Sequence, residues 1–276
     1  YDALALIQRL QESKGDVFKL NILNEDVLLF LTPSATKQIF LDPDDNFSSK
    51  HGWEFSIGPT FENGLMLRDF DDHKYHRSLL QNSFRRDALD KYIHIIQPRI
   101  DSWIEEVKQK REFYLYKSIK QLMFNVAVEL FFDEVDDTKL NHLNQLFINS
   151  IKPATTIVRS PYPMTRMKKG LKARVELLEY FQEKSDKIDL SKETLFADLV
   201  KTNNEEAGLT NYEIAEHMIF LLLAAHDTTT STLTSSIHFL AGNEYYQNKV
   251  KTESSTLSKT DISDLKNGII GEALFN

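Results

Sequence analysis

A chain of 276 residues with 41% hydrophobic and 27% charged side chains has the make-up of a soluble globular protein with a sizeable core, as one large domain or two small ones. A net charge of −8 gives no footprint for nucleic-acid binding, and the lack of any cysteine excludes disulfides, thiolate metal sites and cysteine nucleophiles. The chain opens at Tyr1 without a signal-like apolar segment, as expected of a protein soluble as made or one relieved of an anchor.

Leu4, Ile7 and Leu10 recur at helical spacing and predict an amphipathic helix over 1–14, ended by Gly15-Asp16. Residues 17–23 and 27–31 are rich in β-formers and read as a hairpin turning through Asn24-Glu25-Asp26. Thr32-Pro33-Ser34 opens a helix through Phe40. Gly52, Gly58, Pro59 and Gly64 make 51–72 a loop with short helical pieces. His73 and Arg77 then share one helix face, which on residue types alone is a solvated basic face. An amphipathic helix is expected over Tyr92–Lys110 despite Pro98, and further helices over Tyr116–Phe132 and Asp137–Ile151. Pro153, Pro161 and Pro163 break the pattern across 152–165. The basic run Arg166–Arg174 opens the next helix and reads as a solvated face; Thr194–Thr202 forms a short helix before a polar loop.

Thr210 to Gly242 reads as one long helix of about 45 Å. Thr210 and Glu213 have capping-box spacing, and Gly242 stands where a left-handed residue would end the run. Met218 to Ala225 is apolar on every face, so this part is expected to be buried all round. His226-Asp227-Thr228-Thr229-Thr230-Ser231-Thr232 follows at once. Thr, Ser and Asp compete for backbone hydrogen bonds, so the helix is expected to be distorted near Ala225–Thr228. One reading is a helix passing from core to surface at residue 226; the other is a functional site, where local and global preferences conflict.

The stretch Phe220-Leu221-Leu222-Leu223-Ala224-Ala225-His226-Asp227-Thr228-Thr229 resembles the central oxygen-activating helix of cytochromes P450, with Ala225 where glycine is usual. His73-x-x-x-Arg77, Leu79-Leu80 and Phe84 resemble a second motif of that family, with Ser78 where many members carry another arginine. The resemblance implies a mainly α, P450-like helical fold with a small β-hairpin near the N-terminus. It implies a single domain, with the helix and hairpin region at 1–50 and a helical core at 51–276, incomplete at its C-terminal side. It implies haem as cofactor, His73 and Arg77 as donors to the haem propionates, and Ala224 and Ala225 lining the haem. It also implies Thr228 as the hydroxyl ordering water at dioxygen and Asp227 as the group feeding protons. The substrate would be a small apolar organic molecule and the electron donor a ferredoxin or flavin reductase, in a cytoplasmic protein that binds no nucleic acid. The region of Arg166–Arg174 would cap the substrate channel and, in some members, rest on a membrane.

No P-loop, GxSxG, HExxH or dinucleotide fingerprint is present, and Glu213, Glu216 and His217 lack the second Glu-x-x-His helix of a di-iron cage. No side chain is therefore assigned as a metal ligand. P450 chemistry needs a cysteine thiolate on the iron. The family's Glu-x-x-Arg also fails here, since Phe275 stands at the arginine position after Glu272. Two readings follow: the amino-terminal portion of a haem monooxygenase, without turnover as this chain alone, or a catalytically dead helical scaffold that binds a ligand or partner. His226 is not expected to ligate iron, because aiming Thr228 at the haem turns His226 aside.

Overall fold

The structure is a computed structural model describing residues 2–255 except 23–24, 43, 85, 133–135, 157–158, 193 and 203–207, and except the side chains of 82, 86–90 and 137. Glu272 and Phe275 lie outside the described residues. Among the described residues there are eleven α-helices and one two-stranded sheet. Backbone contacts divide the chain into two units, Tyr1–Ser49 and Lys50–Asn276.

The first unit follows its capping signals. Asp2 takes the N–H groups of Leu4 and Ala5 at 3.0 and 3.2 Å and starts α1 (Ala3–Lys14), which Gly15 ends at φ 89°. Strands β1 (Val17–Ile22) and β2 (Glu25–Phe30) pair antiparallel, Val17 opposite Phe30 and Ile22 opposite Glu25. The second strand therefore begins two residues before the expected Val27. Asp26 explains it: its carboxylate meets Lys19 at 2.6 Å and Asn21 at 3.2 Å across the ladder, so polar pairs extend the hairpin beyond its apolar part. Thr32 caps α2 (Pro33–Leu41).

The second unit opens with a correction. Residues expected as loop form α3 (Ser49–Phe61), with Pro59 inside it, and a 3-10 turn over Leu65–Leu67. Pro59 has no N–H to give the carbonyl four residues back, which is Phe55. The guanidinium of Arg159 takes that carbonyl instead, takes Ser56 O at 3.2 Å, and lies 4.5 Å over the Phe55 ring. A tertiary donor thus repairs a helix that local propensity argues against.

Next come α4 (Phe70–Gln81), α5 (Arg86–Lys108), α6 (Leu115–Phe132) and α7 (Asp137–Ile151). They are followed by α8 (Arg166–Ser185), α9 (Leu195–Thr202), α10 (Asn211–Ala241) and α11 (Glu244–Ser254). The long helix runs unbroken, and both halves of its Thr210/Glu213 capping box are made. Its end differs from expectation: Gly242 has φ −91°, and its N–H bonds Phe239 O, so the last turn tightens without a left-handed residue.

Helix α10 packs against α6, α8 and α9, with Ile214, Ile219 and Leu222 buried. The core continues through an aromatic stack: Phe132 lies 4.7 Å from Phe181 and 5.6 Å from Phe196, ring centre to ring centre. The basic run of α8 is only partly a solvated face. Lys168, Lys169 and Lys172 are exposed, but Arg174 is buried in an ion pair with Glu216 of α10 and donates to Thr60 O at 3.1 Å. No described helix is long and apolar enough to cross a membrane.

Candidate active site on the central helix

Helix α10 changes character at residue 224. From Ile214 to Leu222 the helix is buried on every side; beyond that Ala224 and Thr228 are exposed while His226 and Thr230 stay in the core, and from Ser231 onward most positions are exposed, as expected of a helix passing from core to surface. Each pair is four residues apart, so the helix shows one open and one buried face. The polar stretch does not interrupt it. Thr228 donates to Ala224 O at 2.6 Å, Thr230 to His226 O at 2.7 Å, Thr232 to Thr228 O at 3.0 Å and Thr234 to Thr230 O at 2.7 Å. Each hydroxyl is absorbed by its own helix. As donor to Ala224, the Thr228 oxygen keeps its lone pairs and can accept a hydrogen bond from a group on the open face. Ala225 is half-buried beside it.

Asp227 is half-buried and turned toward α6, where Lys120 Nζ lies 2.7 Å from its Oδ1. Its neighbour His226 is fully buried between the edges of Phe124 and Phe147, at 5.6 and 5.5 Å. His226 Nε2 sits 3.0 Å from Lys120 O; a carbonyl only accepts, so Nε2 carries the proton and Nδ1 is bare. Nδ1 has no hydrogen-bond partner and lies 3.5 Å from Asp227 Oδ1. Burial pushes the His226 pKa down; the Asp227 carboxylate opposes that and Lys120 adds to it, so the imidazole rests neutral.

On α4, His73 is half-buried and Arg77 exposed, and neither makes a side-chain hydrogen bond or ion pair among the described residues. The structure does not bring them into contact with Asp227 or Thr228. What ties α4 to α10 is a pair of histidines that the sequence does not bring together: His217 is weighed there only with Glu213 and Glu216 as a metal site, and His76 is given no role. His76 Nδ1 lies 2.9 Å from His217 Nε2, and both rings are buried. His76 Nε2 is 3.3 Å from Asp72 Oδ1 and 3.9 Å from Glu213 Oε1, which favours a proton on Nε2. His76 Nδ1 then accepts from His217 Nε2–H, and His217 Nδ1 is left bare and unpartnered. Asp72 is fixed in turn by Arg68, both oxygens at 3.0 Å. Burial, then His76 and Arg68, lowers the His217 pKa from 6.5 to about 3.

Two signals for this pair were present. His76 is four residues before the core residue Leu80, and His217 immediately precedes the all-round apolar run. Lys120 gave none: its partner lies 107 residues away.

This architecture, a mainly α protein hung on one long helix with a hairpin near its N-terminus, defines the class. The chain belongs to the cytochrome P450 family, whose family model matches residues 3–267. It is 30% identical over 234 residues to a protein named putative cytochrome P450 136 of Mycobacterium tuberculosis, covering 81% of this chain and 47% of that one. It is 26% identical over 259 residues to protopanaxadiol 6-hydroxylase of Panax ginseng, covering 92% of this chain and 54% of that one. Among solved structures it resembles a retinoic acid-bound cyanobacterial P450, with TM-score 0.81 and 22% identity over 96% of this chain and 61% of that one. A zebrafish P450 with progesterone gives TM-score 0.83 at 19% identity over 98% of this chain and 69% of that one. The chain spans about half the length of the curated relatives it matches.

The family's cofactor is haem. The residues present fit one side of it: small side chains and a hydroxyl on the open face of α10, and on α4 the donors His73 and Arg77, which have no side-chain partner among the described residues. A thiolate ligand is not among the 276 residues, which contain no cysteine. His226 does not replace it, being sealed on the opposite side of the helix from Thr228.

Proposed function

We propose that this chain is the distal portion of a haem-dependent monooxygenase acting on a small apolar organic substrate, with the thiolate ligand supplied from outside these 276 residues. The observation that carries the reading is the open Ala224–Thr228 face where the helix leaves its buried Ile214–Leu222 stretch, with the Asp227 carboxylate held beside it. Haem, when bound, supplies the activation of dioxygen. The chain's own share is to bind and deliver. His73 and Arg77 offer charge-assisted donors to the propionates. Ala224 and Ala225 leave room for the macrocycle, Thr228 holds a water through its oxygen lone pairs, and Asp227 moves protons toward it. An apolar substrate is supported by relatives named as hydroxylases of protopanaxadiol and of taxane. A ferredoxin or flavin reductase supplies electrons.

The second reading, a catalytically dead scaffold that holds a ligand or partner, is favoured by the absence of cysteine. Carbon monoxide difference spectroscopy separates them. A longer gene product carrying a cysteine loop should give the thiolate-type band after reduction. Its absence from that product would remove the monooxygenase reading.

A further inference from the structure

His226 is a buried imidazole that neither the haem reading nor the core requires. Phe124 of α6 and Phe147 of α7 pack edge-on against it. A phenyl or aliphatic side chain would fill the same space without desolvating two nitrogens. The polar environment that accompanies it is specific. Its Nε2–H goes to Lys120 O at 3.0 Å, which fixes the tautomer and aims the bare Nδ1 at Asp227 Oδ1, 3.5 Å away. The same Lys120 sends its ammonium to that same Oδ1 at 2.7 Å, with Nζ 5.8 Å over the Tyr116 ring. One residue of α6 therefore grips two consecutive residues of α10, by its backbone and by its side chain. The charged groups facing His226 are Asp227 from its own helix and Lys120 from α6, while α7 presents Phe147.

We propose that His226 and Lys120 are positioning residues for Asp227: the bare Nδ1 and the carboxylate form one proton-holding pair, and the Lys120 ammonium decides which of the two carries the proton. The inference rests on the reading of Asp227 as the proton-handling carboxylate. A proton that arrives on Oδ1 passes to Nδ1 when a small rotation of the carboxylate closes the gap. The O–H bond breaks and the N–H bond forms, turning carboxylic acid and imidazole into carboxylate and imidazolium with no change in net charge. Lys120 opposes the imidazolium by like charge and favours the carboxylate by opposite charge. Its effect is to keep His226 neutral at rest and the Asp227 side chain turned toward α6. His226 is then a second station for a proton bound for the open face, sheltered from solvent.

The test is a side-chain NMR titration of the haem-free full chain with labelled histidine, the His226 signal assigned by its loss in His226→Gln. Lys120→Met should move the His226 midpoint to higher pH, because the opposing charge is gone. Lys120→Arg, which keeps the charge, should leave it where it is in the parent. Asp227→Asn should move it to lower pH. A midpoint unmoved or lowered by Lys120→Met overturns the proposal. If that variant does not fold, a midpoint that Asp227→Asn fails to lower does the same. The titration needs no haem. A missing thiolate band in a cysteine-bearing full-length protein would remove the monooxygenase reading and leave the proton pair standing. An unmoved His226 midpoint would sink the pair whatever the spectrum shows.

Discussion

Protonating His217 in place would bury a cation beside a second imidazole and near Arg68, which is why its pKa falls from 6.5 to about 3. The sign of the consequence follows. Above about pH 6.5 the ring is neutral in folded and unfolded chains alike, and its hydrogen bond to His76 contributes fully. As pH falls from 6.5 toward 3 the unfolded chain takes up a proton that the folded one refuses, so stability is lost, at up to about 1.4 kcal/mol per pH unit, and levels off below. His76, also lowered, acts in the same direction. Urea midpoints measured between about pH 7.5 and pH 4.5 should fall steadily in the parent chain. His217→Gln should cost about 1–3 kcal/mol at neutral pH, where it disrupts a buried hydrogen bond, and should flatten the acid slope. An equally steep slope in that variant would assign the acid sensitivity elsewhere. The sequence does not pair the two histidines: His217 is weighed there only with Glu213 and Glu216 as a metal site, and His76 draws no assignment. Only the crossing of α4 and α10 makes them partners, whereas Asp227 and Thr228 were legible because their motif is contiguous.

At the scale of elements, helix α10 was readable from local chemistry. Thr210 and Glu213 both satisfy orphan groups of the first turn, with Thr210 Oγ1 accepting the Glu213 N–H at 3.2 Å and Glu213 Oε2 accepting the Thr210 N–H at 2.9 Å. Thr210→Ala should therefore cost about 1 kcal/mol in chemical denaturation. Helix α3 was not readable, since Pro59 argues against it and its remedy, Arg159, lies in a distant loop. Close approach between helices was equally hidden. A Cβ on Gly170 of α8 would sit 2.2 Å from Pro153 Cγ and 2.9 Å from Asn149 O, so α8 and the end of α7 meet only because residue 170 has no side chain. Gly170→Ala in a helix interior would by propensity alone stabilise by about 0.5–1 kcal/mol. Steric overlap reverses the sign, and a net loss of about 1–3 kcal/mol is expected, read as a lower urea midpoint. A gain would show that the α7–α8 contact relaxes freely.

At the scale of the whole molecule, the family was legible from two motifs, on α4 and on α10. The interior that joins them was not, because it depends on contacts such as His76 to His217. The same scale decides what the chain can do by itself. On the proposed reading its haem-facing chemistry amounts to one wall, consisting of the open face of α10 together with His73 and Arg77 of α4. On that reading Ala224, Ala225 and Thr228 would contact the haem and His73 and Arg77 would hold its propionates, and none of them would supply a ligand to the iron. No cysteine is available, and the histidine inside the motif is enclosed by Phe124 and Phe147 on the far side of the helix. Binding energy would then come from apolar contact on one face and two charge-assisted bonds, from the half-buried His73 and the exposed Arg77, which are worth little where solvent screens them. The 276-residue chain alone should therefore take up haem weakly in a Soret titration, and after reduction with carbon monoxide it should show no thiolate-type band. Arg77→Ala should weaken that residual uptake further, and His226→Gln should leave it unchanged. A thiolate-type spectrum from this chain alone would contradict its lack of cysteine; a loss of haem uptake in His226→Gln would mean that the sealed imidazole reaches the iron, and the assignment of the open face would have to be reversed.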